Sequence, residues 1–207
     1  MSTVIKNLLR LKKADIKSAA KVFSRAFFED PLAIFLFPEE KTRQQSLMDY
    51  FEFRIRYGIL YGEVYSTKNL EGVAVWIAPK NVKMTQWKML RAGGMKLYSK
   101  LGKEIINRMG LIEQYTSELH HKSAPIEHWH LTPIGVDTNQ RGKGFASQLI
   151  RPMLQRCDEE NVACFLETQS KTNVEIYKRY GFRVVEKGFI PAVNIDHWTM
   201  LRNPKKR

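Results

Sequence analysis

The chain has 207 residues, of which 43% are hydrophobic and 11% aromatic, and this composition excludes an intrinsically disordered protein. The longest apolar run, residues 31–38, is far shorter than the roughly 20 residues of a membrane-spanning helix, and the first residues lack the pattern of a secretory signal. We therefore expect a cytoplasmic protein with no membrane partner. The net charge of +13 favours a polyanionic partner, either nucleic acid or an anionic small molecule.

The N-terminal half has the patterns of short strands and long helices. Residues 7–11 resemble a short strand, and a helix with Asp15 as its N-cap follows until Asp30, because the residue before a proline disfavours helical geometry. Residues 41–60 form a second helix, and strands follow at 63–66 and 72–77. Helical periodicity over 84–119, with breaks at Gly93-Gly94 and Gly102, predicts two or three further helices.

The C-terminal third has a more regular pattern. A helix between two strands makes a crossover, which places those two strands parallel. Cys157 and Cys164, the two cysteines of the chain, fall in this region on apolar faces, and we interpret them as core thiols rather than as a disulfide or a metal site. The predicted elements are strands at 128–136, 163–168, 184–189 and 195–202, and helices at 144–160 and 173–180.

A glycine-rich loop joins the first of these strands to its helix. Glycines let the backbone approach a ligand closely, and the start of a helix offers unpaired N–H groups and the positive end of its dipole. Such a loop suits a phosphate or pyrophosphate, and Arg141 and Lys143 add positive charge. A tight turn with solvated basic residues is the alternative. The Walker A pattern is absent, and Ser147 stands where the dinucleotide motif has its third glycine.

The loop resembles the [RQ]-x-x-G-x-[GA] signature of the GNAT superfamily of N-acetyltransferases, with Arg141, Gly144 and Ala146 at the defining positions. Residues 173–182 resemble the N-x-x-x-Y-x-x-x-G-F element of the same family, in the expected order. The resemblance covers roughly residues 129–200. It implies a mixed α/β (α+β) fold: a mostly antiparallel sheet of about seven strands, splayed between the fourth and fifth, flanked by helices, with a helical insertion before the fourth strand.

The resemblance also implies the domain organisation. We expect one GNAT-like domain over residues 1–207. Its acceptor-side half is expected at 1–125, with the helical insertion at about 83–120, and its acetyl-CoA-binding half at 126–202. The oligomeric state is either a monomer or a homodimer.

The resemblance implies that acetyl-CoA is the co-substrate. In the family the pyrophosphate lies on the loop amides and the pantetheine arm pairs with the preceding strand. Here Pro133 and Gly135 would weaken that strand's own pairing and suit a splay. Asn173 is either a helix cap or a contact to the pantetheine region, or both. The residues assigned to binding are Ile134, Gly135, Val136, Arg141, Gly142, Lys143, Gly144, Phe145, Ala146, Ser147, Asn173 and Tyr177.

Acetyl transfer to an amine needs a proton acceptor and a proton donor. The resemblance places Tyr177 where the family often has its general acid, and a phenol is protonated at neutral pH. The alternative is a packed aromatic residue, which is our interpretation of Tyr180. Glu167, near the end of its strand, is our first candidate for the base, and His130 is the second.

The acceptor site and a metal site are less defined by the sequence. Glu29 and Asp30 either offer carboxylates to a cationic amine or only end a helix, and Trp76 either lines a pocket or belongs to the core. The histidines at 120, 121, 128 and 130 have no cysteine or carboxylate at ligand spacing, so we predict no metal and place His120 and His121 at the surface.

The sequence therefore predicts an acetyl-CoA-dependent N-acetyltransferase that acts on a primary amine. The alternatives are a basic nucleic-acid-binding module and a CoA-binding sensor without catalysis. A nucleic-acid-binding surface would need basic residues clustered with aromatic residues, and no such stripe is evident, so nucleic acid is not expected as a partner.

Overall fold

The computed structural model describes residue 5 and residues 7–205. The predicted order of elements is confirmed, with one helix added and small shifts at the ends. The strands are β1 (Leu9–Arg10), β2 (Gly62–Ser66), β3 (Gly72–Ile77), β4 (His128–Val136), β5 (Ala163–Thr168), β6 (Arg183–Ile190) and β7 (Ile195–Arg202). The helices are α1 (Ile16–Ala26), α2 (Pro31–Leu36), α3 (Glu40–Tyr61), α4 (Gln86–Arg91), α5 (Gly94–Ser123), α6 (Phe145–Glu160) and α7 (Lys171–Lys178).

The seven strands form one sheet in the order β1-β2-β3-β4-β5-β7-β6. Every neighbouring pair is antiparallel except β4 and β5, which are parallel because α6 crosses between them. The mixed, mostly antiparallel sheet expected from the resemblance is therefore confirmed. None of the helices in the described residues combines the length and the apolar character that a bilayer crossing needs.

Helices cover both faces of the sheet, and each face has its own core. Side chains alternate along the strands, so that Val73, Val75 and Ile77 of β3 pack against α1 and α3. Ala74 and Trp76 point to the opposite face and pack against α6. Trp76 is fully buried, so the interpretation as a core residue is confirmed and the pocket-lining alternative is wrong. Cys157 and Cys164 are free and buried, as predicted.

The end of the first helix differs from the prediction. Helix α1 ends at Ala26, and Asp30 does not merely terminate it but begins α2, a six-residue helix that the sequence analysis missed. The Asp30 Oδ1 atom accepts hydrogen bonds from the amides of Leu32 at 2.9 Å and Ala33 at 3.4 Å. Burial raises the pKa of this carboxyl group. Asp30 is thus an N-cap, and Pro31 occupies the first helical position, which it favours.

The predicted helical insertion is confirmed as α4 and α5. Ala92 and Gly93 separate the two helices, and Gly102 interrupts α5 with a φ of 78° and a ψ of 168°. The C-terminal part of α5 lies across β6 and β7. It is held there by Tyr115, whose hydroxyl accepts the Phe189 amide at 2.7 Å, and by a 2.9 Å hydrogen bond between Thr199 Oγ1 and Ser123 Oγ.

Candidate active site

The glycine loop between β4 and α6 has open space above its backbone. Gly142 and Gly144 have φ values of 78° and 82°, a region that residues with a Cβ disfavour. A Cβ built at either position would meet no atom within 4 Å, so the space above the loop is free. The amide of Gln148 donates to the carbonyl of Gly144, which leaves the three preceding amides of α6 without helical acceptors. This arrangement fits a phosphate group.

Contacts with α1 hold the loop in place. The carboxylate of Asp137 accepts from Arg25 Nε at 2.8 Å and also pairs with Nη2 of the same arginine. This guanidinium lowers the pKa of Asp137. Arg141 Nη2 donates to the carbonyl of Ala26 at 2.7 Å, so part of its guanidinium contacts α1 and anchors the loop. Lys143 Nζ lies 2.9 Å from Gln140 Oε1 within the loop.

The sheet opens beside this loop. Parallel pairing between β4 and β5 ends at Leu131 and Leu166, although β4 continues to Val136. Between Leu131 and Ile134, β4 has one residue more than β3 opposite it, which marks a bulge around Pro133. Ile134, Gly135 and Val136 pair with β3 alone among the described strands. The predicted splay between the fourth and fifth strands is confirmed, and it exposes one edge of the pantetheine-binding segment proposed from the sequence.

Tyr177 and Asn173 lie on α7, on the same face of the sheet as α6. Tyr177 packs edge-on against Phe182 with ring centroids 5.9 Å apart, and burial raises the pKa of its phenol, which stays protonated at neutral pH. Asn173 is not the helix cap, because Ser170 is the N-cap of α7 and its side chain accepts from the Asn173 amide. Asn173 Nδ2 instead donates to Thr168 Oγ1 at 3.4 Å, at the end of β5.

Glu167 and His130 lie together on the opposite face, where the splay opens into a cavity of about 180 Å³. Glu167 Oε2 is 3.8 Å from His130 Nε2, and Glu167 Oε1 is 3.4 Å from His197 Nε2. The structure thus brings the two candidate bases to one place. The cavity is lined by residues of α3, α5, β4 and β5 and of the segment before α4, among them Arg54, Tyr57, Met84, Glu113, Thr116, His120, Thr132 and Glu167.

Comparison with known proteins identifies the family. The model of the acetyltransferase (GNAT) domain matches residues 64–201, which is most of the chain. The chain belongs to the GNAT acetyltransferase family. It is therefore an acyltransferase, and the GNAT fold implies acetyl-CoA as its co-substrate.

Relatives and solved structures agree with this assignment. An uncharacterized N-acetyltransferase of Schizosaccharomyces pombe is 29% identical over 206 residues, which cover 95% of this chain and 83% of the relative. The structure of a histone acetyltransferase HPA2 and related acetyltransferase from Corynebacterium glutamicum superposes with a TM-score of 0.68 at 22% identity, over 97% of each chain. An N-acetyltransferase from Staphylococcus aureus has a TM-score of 0.55 at 13% identity and covers 94% of this chain and 98% of its own. These two structures show the shared GNAT fold.

Histidines of this GNAT domain form a network around the cavity. His128 Nδ1 lies 2.6 Å from the carbonyl of Ile126, so this nitrogen carries the proton and Nε2 accepts. His120 Nε2 lies 2.8 Å from His128 Nε2 and must then be the donor. Burial disfavours the charged ring and lowers the pKa values of His120, His128 and His130. The pKa of His120 falls to about 3. These three imidazoles are therefore neutral at pH 7.

The prediction that His120 lies at the surface is wrong, whereas His121 is exposed. The His120 ring stacks on Phe165 with centroids 4.0 Å apart and planes at 10°. The sequence analysis also missed Arg54, whose Nη2 donates to Thr132 Oγ1 at 2.9 Å beside the splay. A signal for His120 existed, because Ile112, Thr116 and His120 recur at intervals of four on the inward side of α5.

Several polar atoms of the cavity have no hydrogen-bond partner among the described residues. They are the buried atoms His130 Nε2, Glu167 Oε1 and His197 Nε2. Gln169 Nε2 donates to His197 Nδ1 at 2.8 Å, so in the neutral ring Nε2 carries a proton that points towards Glu167. Unpaired buried polar atoms cost free energy, and those in native sites are commonly satisfied by a ligand or by water. The Glu167 carboxyl group among these unpaired atoms suits a cationic ligand.

The same cluster contains the residue types of a metal site. Ligand atoms of His120, His130 and Glu167 all lie within 4.8 Å of one another. Zinc bonds of about 2.0–2.1 Å in a tetrahedron place ligand atoms only about 3.4 Å apart. The Glu167 to His130 contact of 3.8 Å already exceeds this spacing. The structure therefore brings a carboxylate close to two of the histidines, which the sequence spacing did not indicate, and the absence of a metal stays a prediction.

Proposed function

We propose that this enzyme transfers the acetyl group of acetyl-CoA directly to a primary amine of a small molecule or peptide. The observation that carries the proposal is the position of Glu167. It is the first residue of β5 beyond the last β4–β5 pair, and its carboxylate faces the 180 Å³ cavity beside the splay. A proton acceptor for the amine therefore lies where the two halves of the site meet.

The donor side is supported by the loop and the splay. The amides of Gly142, Gly144 and the first turn of α6 would hold the pyrophosphate, and the free edge of residues 134–136 would pair with the pantetheine arm. Acetyl-CoA supplies the acetyl thioester. On the α7 side, the Tyr177 hydroxyl, which is protonated at neutral pH, would hydrogen-bond to the departing thiolate or donate its proton to it.

The acceptor side is supported by the cavity. An alkyl ammonium has a pKa near 10 and must lose a proton before it can attack. Glu167 Oε2 would accept this proton, and His130, neutral and 3.8 Å away, would orient the carboxylate or relay the proton. His197 Nε2 lies 3.4 Å from the other oxygen of this carboxylate.

Direct transfer is favoured over an acetylated enzyme. A covalent route by thiol catalysis would need an accessible thiolate. Cys157 and Cys164 are the two cysteines of the chain, and both are fully buried. Burial also raises the pKa of Cys164 well above its ordinary value. Neither residue lines the cavity.

An acceptor screen that follows thiol release from acetyl-CoA tests the proposal. Polyamines, amino sugars, amino acids and peptides form the panel. We expect at least one amine to stimulate thiol release, and we expect Glu167→Gln to lower kcat about 100-fold or more with an unchanged dissociation constant for acetyl-CoA. Dialysis against EDTA is expected to leave the rate unchanged. Binding of acetyl-CoA without thiol release across the panel would contradict catalysis and favour a sensor.

A further inference from the structure

The outer surface of α4 and of the first turns of α5 exposes four large apolar side chains. Trp87 is 66% exposed, Leu90 47%, Met95 69% and Tyr98 48%. Among the large hydrophobic residues that the structure describes, Trp87 and Met95 are the two most exposed. We call these four residues and the basic residues around them the platform. The two helices are in contact, and large apolar side chains exposed on neighbouring helices often mark an interaction site.

The spacing of the four apolar residues along the two helices explains their exposure. Trp87 and Leu90 are three residues apart on α4, as are Met95 and Tyr98 on α5, so each pair lies on one helix face. The opposite faces are packed, because Met89 contacts the core beneath α4 and Leu97 is buried beneath α5. The chain is therefore held with these apolar side chains outward.

The platform is strongly basic. Residues 80–103 contain seven lysines and arginines and no aspartate or glutamate. Lys96 and Lys100 pair with Glu52 and Asp49 of α3. Three further basic residues, Lys80, Lys83 and Arg91, are exposed. The basic residues of the stretch are Lys80, Lys83, Lys88, Arg91, Lys96, Lys100 and Lys103.

The combination of charge and side-chain type selects the partner. A symmetric contact with a second copy would place the same basic surface on both sides, and the like charges would repel. Bases of nucleic acid stack on aromatic rings, which leaves Leu90 and Met95 without a role. Apolar and aromatic side chains among lysines are typical of helices that lie in the interface of an anionic bilayer.

We propose that the platform binds the surface of a membrane that contains anionic phospholipids. Trp87, Leu90 and Met95 enter the boundary between headgroups and acyl chains, and the lysines contact lipid phosphates. The earlier expectation of no membrane partner rested on the lack of a spanning segment, which a surface-bound protein does not need. Val82, Lys83 and Met84 also line the acceptor cavity, so the cavity lies beside the bound membrane.

Vesicle sedimentation with the full-length protein tests this proposal. We expect binding to vesicles of equimolar phosphatidylcholine and phosphatidylglycerol, and little binding to phosphatidylcholine alone. Salt at about 0.5 M should weaken the binding about tenfold because it screens the charges. A blue shift of tryptophan fluorescence should accompany it, since Trp76 and Trp129 are already buried and Trp87 is the most exposed tryptophan.

Paired variants separate the platform from exposed apolar residues elsewhere. Trp87→Ala with Met95→Ala should weaken vesicle binding about tenfold or more. The matched control, Leu111→Ala with Phe189→Ala, removes side chains that are 56% and 45% exposed outside the platform and should bind like the native protein. Circular dichroism checks that both double variants are folded.

Four results would overturn the proposal: no binding to either vesicle, equal binding by the platform variant and the native protein, platform-dependent binding to random RNA but not to vesicles, or a dimer in solution that only the platform variant loses. None of these outcomes bears on acetyl transfer, which is assayed separately.

Discussion

Tyr177 is the residue whose proposed role rests on one oxygen atom. Its ring packs against Phe182, so Tyr177→Phe keeps the packing and removes only the hydroxyl. We expect kcat for thiol release to fall about 100-fold, because the thiolate then leaves without a proton donor, while the affinity for acetyl-CoA changes little.

Tyr180→Phe is the matched control for this measurement. Tyr180 packs in the same core, and the Arg151 guanidinium lies 5.5 Å from its ring centroid. Its kcat should stay within about twofold of the native value. A native rate in Tyr177→Phe, or equal losses in both variants, would refute the assignment of Tyr177 as the acid.

Among single residues, the sequence could propose roles only for those that belong to a local motif. Arg141, Gly144 and Tyr177 could be found because their spacing along the chain fixes their geometry around one loop and one helix. Arg54 and His120 could not be assigned in this way. They reach the cavity from α3 and α5, and their positions depend on how these helices pack on the sheet.

The docking of α5 on the sheet depends on a close approach at β6. A Cβ at Gly188 would lie 2.0 Å from the hydroxyl of Tyr115, which also accepts the Phe189 amide. Gly188→Ala should therefore lower the free energy of unfolding by about 1–3 kcal/mol. Urea denaturation measures this change.

Two further variants control this prediction. Gly110→Ala adds a Cβ to α5 where no atom lies within 4 Å, and it should stabilise the protein by up to about 1 kcal/mol through helix propensity. Tyr115→Phe removes the colliding oxygen and should recover part of the loss when combined with Gly188→Ala. Unchanged stability in Gly188→Ala would show that α5 is not held by this contact.

At the level of elements, the length of a helix or strand determined whether the sequence could predict it. The strands and helices after residue 128 follow strong periodic patterns joined by short connections, and their predicted bounds agree with the structure within two residues. Helix α2 was missed because six residues are too few for a periodic signal. Its start signals, Asp30 and Pro31, were instead interpreted as the stop of the preceding helix.

The stability of the whole molecule should depend on pH through its histidines. The pKa values of His120, His128 and His130 are lowered from the ordinary value of 6.5, so below that pH the unfolded chain binds protons that the folded protein does not. The histidines therefore leave the stability unchanged above about pH 7, and they lower it progressively as the pH falls below 6.5. Each group contributes at most about 1.4 kcal/mol per pH unit.

Urea denaturation between about pH 7 and pH 5 tests this dependence. His120→Gln keeps a donor for His128 Nε2 and removes one titrating ring, so its stability should fall less steeply with decreasing pH. Identical slopes for the variant and the native protein would show that His120 is protonated in the folded state.

Over the whole molecule, the splay lies between the proposed acetyl-CoA side and the proposed acceptor cavity. The loop, α6 and α7 form the proposed acetyl-CoA side on one face, and α3 and α5 line the cavity on the other. In the proposed mechanism, Glu167 on the cavity side accepts the proton of the amine, and Tyr177 on the α7 side donates a proton to the thiolate. The overall topology followed from the family motifs, whereas the acceptor cavity depends on the helical insertion, which carries no motif.

A calorimetric titration of the protein with acetyl-CoA tests the central claim most directly. We expect saturable binding to one site per chain. We also expect the dissociation constant to be about tenfold or more higher in Gly144→Ala, because a Cβ at a φ of 82° distorts the loop proposed to hold the pyrophosphate, and to keep its native value in Gly110→Ala. No binding of acetyl-CoA at concentrations up to the millimolar range would contradict the proposed function.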